Sequence, residues 1–344
     1  MLHRLFASCL AIAPLLAQTA PPPPKPAPAA LTAKSFLFDD ARNVATVDLA
    51  ALRKTGIWDD LEVSVLKVAF RQMEKELGFP LDALDRATVL GDLGDGVGMV
   101  RSREVTVFEG NANLAVPPWV NNGSSWQRDE RAEGIAAWRR GGDLFVQVRP
   151  ELQVSGHEDF VQPVLEGKPW SNRQLPDVMS LTSGAKSALA WFVAEVGHPV
   201  LAKAVLGQLF PDTEWPEGDA PTFLCVRLLV TGDADDPHLA VEATLRHGKG
   251  EEGLRLSQQA TTKLLAMLQE MPAMRAAKGV LSKSAMRTDR SDLVLTVDLG
   301  RSRDAVGTLA TLAMPLFGRA VESVPAQAAE PPPPPPPPAA EPKK

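Results

Sequence analysis

Cysteine is scarce in this chain and basic residues are outnumbered by acidic ones, 36 to 42, and each of these features excludes a class of protein. Only Cys9 and Cys225 occur among 344 residues, which excludes a scaffold built on several disulfides. The net charge is −6, with lysine and arginine scattered, so no basic face is expected to neutralise the phosphates of a nucleic acid. Tyrosine is absent. We therefore expect no nucleic-acid partner and a fold that depends on its hydrophobic core.

The N-terminus has the pattern of a secretory signal. Two basic residues precede an apolar run, Leu5 to Leu16, which is too short to span a bilayer and suits a signal-peptide core. We predict cleavage after Ala17 and export to the periplasm or beyond. Lipidation of Cys9 is a poor alternative, because too few residues precede it. No later stretch is apolar enough to span a membrane, and Cys225, in an apolar run, is expected to be a small buried hydrophobe.

Two proline-rich arms flank the middle of the chain. The first occupies residues 18–33, and the second, residues 324–344, contains an unbroken run of eight prolines, Pro331 to Pro338. Such runs adopt extended polyproline II, adding about 3.1 Å per residue, and act as semi-rigid spacers. The residues leave three roles open: an inert terminus, a standoff from a membrane or wall, and a docking ligand for a partner.

Between the arms the sequence predicts an α+β fold of two tandem units, residues 34–184 and 185–323, each with the rough order βαββαββα. Turn signals between short alternating runs predict hairpins, so the sheets should be mostly antiparallel with helices packed on one face. In the first unit a loop, 110–131, replaces the middle helix. The predicted strands are 44–49, 86–90, 97–108, 135–139, 144–149, 188–196, 223–230, 239–245, 280–288 and 293–299. The predicted helices are 57–77, 157–165, 199–209, 251–271 and 302–317.

Three segments carry a resemblance to other proteins: Val47 to Arg53, Asp85 to Leu90, and Asp143 to Val148 leading into Val161 to Lys168. Their order resembles that of signal-bearing bacterial proteins of unknown function that have tandem α/β units. The resemblance covers most of the middle of the chain. It implies an extracytoplasmic protein and supplies no catalytic residues.

The motifs for metals and phosphates are incomplete. His157-Glu158 lacks the second histidine of a helical zinc site, and His238 and His247 bracket one predicted strand, too far apart to share an ion. Residues 233–236 begin like a calcium loop but continue with the wrong residues, and the glycine-rich segment 91–98 precedes a strand rather than a helix. We therefore predict no metal and no cofactor.

One enzymatic hypothesis stands on Ser183 and Lys186. The spacing fits S-x-x-K, in which a lysine one helical turn away takes the proton of a serine nucleophile. Ser64 and Lys67 fit the same pattern, and Lys54-Thr55-Gly56 is a K-T-G, but it precedes the candidate nucleophile rather than following it. Chance supplies about one such match in a chain of this composition. We hold a serine-lysine hydrolase as an alternative and expect no enzyme.

The loop around Trp119 and Trp126 is the best binding candidate. Both tryptophans stand among asparagine, glycine and serine, and an indole has a flat apolar face with one donor, which suits stacking on a sugar or holding a peptide. The structural alternative is that they pack the loop onto the sheet. We expect a non-catalytic cell-envelope protein with a binding, adaptor or structural role and an envelope protein or glycan as partner. A chaperone-like holder with an apolar trough is the other alternative.

Overall fold

In a computed structural model, the strands within the described residues form one continuous antiparallel sheet of twelve strands, in the order β11-β12-β10-β9-β8-β1-β2-β3-β7-β6-β5-β4. The structure describes residues 31–36, 41–62, 67–92, 103–121, 125–129, 135–168, 188–197, 202–216, 218–231, 237–248, 251–301, 304–305 and 307–308. The strands are β1 Asn43–Asp48, β2 Leu84–Asp92, β3 Arg103–Gly110, β4 Gln127–Arg128, β5 Ala136–Arg140, β6 Asp143–Arg149, β7 Leu152–His157, β8 Ala188–Ala194, β9 Phe223–Thr231, β10 His238–Arg246, β11 Ala285–Asp289 and β12 Asp292–Arg301.

Helices lie on both faces of this sheet. They are α1 Leu49–Lys54, α2 Ile57–Glu62, α3 Lys67–Leu77, α4 Pro118–Asn121, α5 Glu158–Leu165, α6 Gly207–Leu209, α7 Glu251–Glu270 and α8 Lys278–Leu281. A π-helical turn, Ala202–Leu206, leads into α6, and 3-10 turns occupy Ala33–Phe36, Leu81–Ala83 and Pro272–Ala277. The α+β class and the antiparallel pairing are thus confirmed.

Strand β1 joins the two predicted units into one sheet. Its residues Asn43 to Val47 pair with β2 on one side and with β8 on the other, antiparallel in both cases. The prediction of separate sheets differs from this arrangement, because a strand paired on both sides leaves no edge between the units. The predicted boundary at residue 184 lies outside the described residues, so the division into domains stays a prediction.

The prediction that helices cover one face holds for most helices but not for α5. Strand β6 is apolar on both sides: Leu144 and Val146 point to one face, and Phe145 points to the other. Both faces must then be covered to remove them from water. Helix α5 covers the first face through Phe160 and Val164, while α1 to α3, α6 and α7 cover the opposite face.

The element boundaries follow the expected signals in most places. Gly78 ends α3 with a positive φ of 78°, as a left-handed glycine cap should. The hairpin of β9 and β10 and helix α7 appear where predicted. One prediction was wrong at its start: the strand expected from Val280 begins only at Ala285, because Lys278–Leu281 forms α8. Most of the predicted helix 302–317 and the glycine-rich segment 93–98 lie outside the described residues.

Candidate functional site: a tryptophan cluster

Four aromatic side chains meet near one end of the sheet, and we call Trp119, Trp126, Trp138 and Phe145 the tryptophan cluster. The Trp119 ring lies 5.6 Å from the Trp126 ring and 5.6 Å from the Phe145 ring, measured between centroids, and it meets Phe145 edge-on. The Trp138 ring lies 5.7 Å from Phe145. Tilted and edge-on pairs at these separations are the favourable geometries for aromatic rings.

Two neighbouring strands form the base of the tryptophan cluster. Trp138 in β5 and Phe145 in β6 are directly opposed cross-strand partners, so both point to the same face of the sheet. Their sequence neighbours Ala137 and Leu144 belong to the core under α5, on the other face. Strand alternation therefore fixes which face the cluster occupies.

The segment that carries Trp119 is fastened to this base by glutamine side chains. Gln153 is fully buried and donates its amide hydrogens to the carbonyl oxygens of Leu114 and Ala115, each at 3.0 Å. Gln147 donates to the same Leu114 oxygen at 3.0 Å. Val120 is 1% exposed and packs in the cluster. Hydrogen bonds of this kind replace those of a regular element, so helix α4 is held at a defined position.

The polar groups of the cluster are unevenly satisfied. Trp126 is 8% exposed, and its indole N–H, shielded from solvent, donates to no acceptor in the part of the chain that the structure describes. Leaving a buried donor unpaired costs about 1–3 kcal/mol. The Arg140 guanidinium lies over the Trp126 ring at 4.8 Å from its centroid, a cation–π contact. Trp119 and Trp138 are half-buried, so the cluster presents apolar ring surface to solvent above a shielded donor.

The structure brings the two predicted tryptophans together but divides their roles. Trp126 belongs to the packed interior, as the structural alternative expects, whereas Trp119 keeps part of its ring exposed. Sequence analysis missed Trp138, Phe145 and Arg140 as members of the same site. The signal was available in part, because Trp138 and Phe145 stand in the predicted strands 135–139 and 144–149, and an antiparallel pairing of these strands would bring them close together.

A polar cleft of about 370 Å³ lies elsewhere, at one end of four adjacent strands. The residues lining it sit where β1 and β3 end and where β2 and β7 begin. They are Asp48, Ala50, Ala51, Lys54, Asp85, Arg86, Glu109, Gly110, Arg149 and Glu151. Carboxylates and cations alternate around the cleft, in contrast to the apolar lining typical of small-molecule sites.

Most charges of the cleft are already paired with one another. Arg86 donates to Asp48 at 2.9 Å and lies 3.8 Å from Glu109, and the hydrogen bond to Asp48 raises the pKa of Arg86 above its ordinary value. Asp48 also caps α1 by accepting from the Ala51 N–H at 2.8 Å. Arg149 lies 2.8 Å from Glu151. These pairs tie strand ends together and account for the cleft as structure.

A buried serine–histidine pair lies toward the other end of the sheet, beside β10 and α7. His247 and Ser257 are 4% and 0% exposed, and Ser257 Oγ lies 3.0 Å from His247 Nε2. His247 Nδ1 lies 3.2 Å from the carbonyl oxygen of Asp219. A carbonyl can only accept, so Nδ1 carries the hydrogen and Nε2 accepts from the serine hydroxyl. Burial lowers the pKa of His247. Because both side chains are buried, the pair is a structural link between helix α7 and the loop before β9.

The remaining candidates for catalysis or metal binding are the serine–lysine pairs, Cys225 and the histidine and acidic side chains. Ser183 and Lys186 lie outside the described residues, as does residue 64 of the second serine–lysine pattern. Burial raises the pKa of the Cys225 thiol to about 11 and keeps it fully covered, so it is not an activated nucleophile. In the described ranges no three histidine, cysteine, aspartate or glutamate side chains come together in a way that could hold a metal ion. Among the helices that the structure describes, none has the length and apolar character needed to cross a membrane.

Comparison with known proteins finds no matching family model and no matching curated protein. Among solved structures, crystal forms III, I and IV of a protein named TP0453 are similar to this chain, with TM-scores of 0.46, 0.45 and 0.41. Sequence identity is 10%, 10% and 9%, and the alignments cover 82%, 83% and 82% of this chain and 99%, 98% and 98% of that one. A likeness at this level supports no conclusion about function.

Proposed function

We propose that this chain is an exported, non-catalytic binding protein of the cell envelope, and that the tryptophan cluster is its contact surface. The observation that carries the proposal is Trp119, whose half-buried ring packs on Trp126 and Phe145 while its remaining surface is open to solvent. A ring that is already immobilised loses little conformational entropy when a ligand stacks on it. Aromatic anchors of this kind are typical of binding surfaces.

Export is supported by the signal pattern of the sequence alone, and the spacer role of the first arm by the way the N-terminal segment is attached. Phe36 is completely buried in the core under α5, and the carbonyl oxygen of Leu31 accepts a hydrogen bond from Arg149 at 3.2 Å. Residues 18–30, which lie outside the described residues, therefore precede a firmly anchored point. An extended proline-rich arm joined to such a point would set the body of the protein at a distance from a membrane or wall.

The proposal can be tested by fluorine NMR of the mature chain, from residue 18 onward, labelled with 5-fluorotryptophan. The seven tryptophans give separable signals that single substitutions assign. We expect cell-wall glycan fragments or proline-rich peptides to shift the signals of Trp119 and Trp126 and to leave that of Trp215 unmoved. Trp215 is a suitable control because it is also half-buried and packs on Phe210, in a different core cluster.

Two variants decide the result. Trp119→Ala removes its own signal, and the ligand concentration needed to shift the Trp126 signal should rise up to about tenfold, since a stacked aromatic pair contributes about 0.5–1.5 kcal/mol beyond its buried area. Trp215→Ala should bind normally. Unchanged binding in Trp119→Ala, or in the double variant with Trp126→Ala if that chain folds, would refute the cluster as the contact surface. Covalent labelling of Ser183 by a fluorophosphonate or a fluorescent β-lactam would refute the non-catalytic part.

A further inference from the structure

The tryptophan cluster and the run Pro331–Pro338 have complementary chemistry. We infer that the cluster receives this proline run from the same chain, which rests on the proposed function and names its occupant. A proline has no backbone N–H, so a polyproline segment presents carbonyl acceptors and ring faces but no backbone donor. The cluster presents the reverse: the Trp126 N–H, which lacks an acceptor among the described residues, and exposed indole surface on Trp119. The Arg140 guanidinium, which also pairs with Asp143, lies over the Trp126 ring.

Recognition of extended proline runs by aromatic surfaces has a general physical basis. Pyrrolidine rings pack against flat indole faces, and the segment pays little ordering entropy because it is already extended. The carbonyls between the rings then accept from indole or guanidinium N–H groups. In this cluster the Trp126 N–H is shielded from solvent, so a carbonyl reaches it only after a local shift of the side chains around it.

The chain is long enough for this contact. Strand β12 and strand β5 are separated by nine strand spacings in the sheet order, about 43 Å at the usual spacing of about 4.8 Å. The 23 residue steps from Thr308 to Pro331 span up to about 76 Å when extended, and still about 60 Å if the predicted helix continues to residue 317. The proline run can therefore cross the sheet without any change in the described fold.

The N-terminal arm is the less suitable occupant because of where it is attached. Leu31 packs against the core under α5, whereas Trp138 and Phe145 point to the opposite face of the sheet. That arm would have to pass around the edge of the sheet, and its longest proline run, Pro21 to Pro24, is half the length of the C-terminal run.

The test compares the mature chain with a version that ends at residue 323, both labelled with 5-fluorotryptophan. We expect deletion of residues 324–344 to shift the signals of Trp119 and Trp126 but not that of Trp215. A synthetic peptide with the sequence of residues 329–341, added in excess to the shortened chain, should restore the original positions. The same peptide with alanine in place of the eight prolines should have no effect.

Substitutions and dilution separate the remaining outcomes. Trp119→Ala should weaken the peptide about tenfold, and Trp126→Phe, which keeps the ring but removes the N–H, should weaken it several-fold. Signals of the full mature chain that are independent of protein concentration support contact within one chain, whereas concentration-dependent signals would assign the arm to a second copy and overturn the inference. Identical spectra of the two chain lengths, with no response to the peptide, would also overturn it. If glycan fragments still shift Trp119 in that case, the proposed function survives alone.

Discussion

Two buried aromatic side chains at opposite ends of the sheet handle their polar atoms differently. His247, beside β10 and α7, has both ring nitrogens within hydrogen-bond distance of a partner inside the protein. Trp126, beside β5, has one N–H, and it donates to no acceptor within the described ranges. Burial without a partner costs free energy, so evolution normally removes or pairs such groups. The paired histidine is explained by the fold, whereas the Trp126 N–H is a donor that the described part of the fold does not use.

Helix α7 packs closely against the loop before β9, and this contact offers the most severe test of the packing around His247. A Cβ at Gly253 would overlap the carbonyl oxygen of Asp219 and lie 3.0 Å from His247 Nδ1. We expect Gly253→Ala to destabilise the protein by about 2–3 kcal/mol through this overlap, measured by urea unfolding. Gly279 in α8 is the matched control, because a Cβ there meets nothing within 4 Å. Gly279→Ala should be neutral or stabilising by up to about 1 kcal/mol; equal losses in both variants would contradict this account of the helix contact.

Removal of the serine hydroxyl tests whether the His247–Ser257 hydrogen bond matters for stability. Ser257→Ala leaves His247 Nε2 buried without its donor, and we expect a loss of about 1–3 kcal/mol in the free energy of unfolding. Ser282, whose hydroxyl bonds to the carbonyl oxygen of Gly279 in an exposed position, provides the comparison, and Ser282→Ala should change stability by less than about 0.5 kcal/mol. If the Ser257 variant loses no more than the Ser282 variant, the pair contributes little to folding.

The titration of His247 should also contribute to the pH dependence of stability. Burial holds the pKa of folded His247 below the value of 6.5 that an unfolded chain has. As the pH falls through about 6.5, the unfolded chain therefore binds the proton first, and stability decreases toward acid. Above that range the contribution is fully present. We expect the urea midpoint to fall more between pH 8 and pH 5 in the natural chain than in His247→Gln. An equal or steeper fall in the variant would exclude His247 as the source.

Patterns among residues close in sequence were sufficient to predict much of the structure around His247. The alternation in Leu293 to Leu299, the turns before it, and the stop at Pro272 placed β12 and α7 correctly. Each of these signals acts between neighbours in the chain, where periodicity and turn chemistry decide the structure. The link from His247 to Ser257 was missed, because it depends on how tightly a helix packs onto a loop.

Local pattern was insufficient where the structure depends on pairing between distant segments. The pairing of β1 with β8 joins residues near 45 to residues near 192, and the sequence of neither segment identifies the other as its partner. The same limit applies to the candidate site. Composition singled out Trp119 and Trp126, but the opposition of Trp138 and Phe145 across two strands decides which indole is buried and which remains exposed.

Trp126→Phe is the mildest substitution in this series and separates packing from recognition. The change keeps most of the aromatic contact with Trp119 but removes the N–H that has no acceptor. Loss of an unpaired donor offsets the smaller ring, so we expect the unfolding free energy of the chain without residues 324–344 to change by less than about 1 kcal/mol. In the full mature chain the same substitution should cost more, because there the N–H has gained an acceptor from the proline run. Urea unfolding of the four proteins, two lengths with and without the substitution, measures this difference as a coupling free energy. A coupling of zero would mean that the Trp126 N–H stays unpaired in the whole protein, and that its burial serves packing alone.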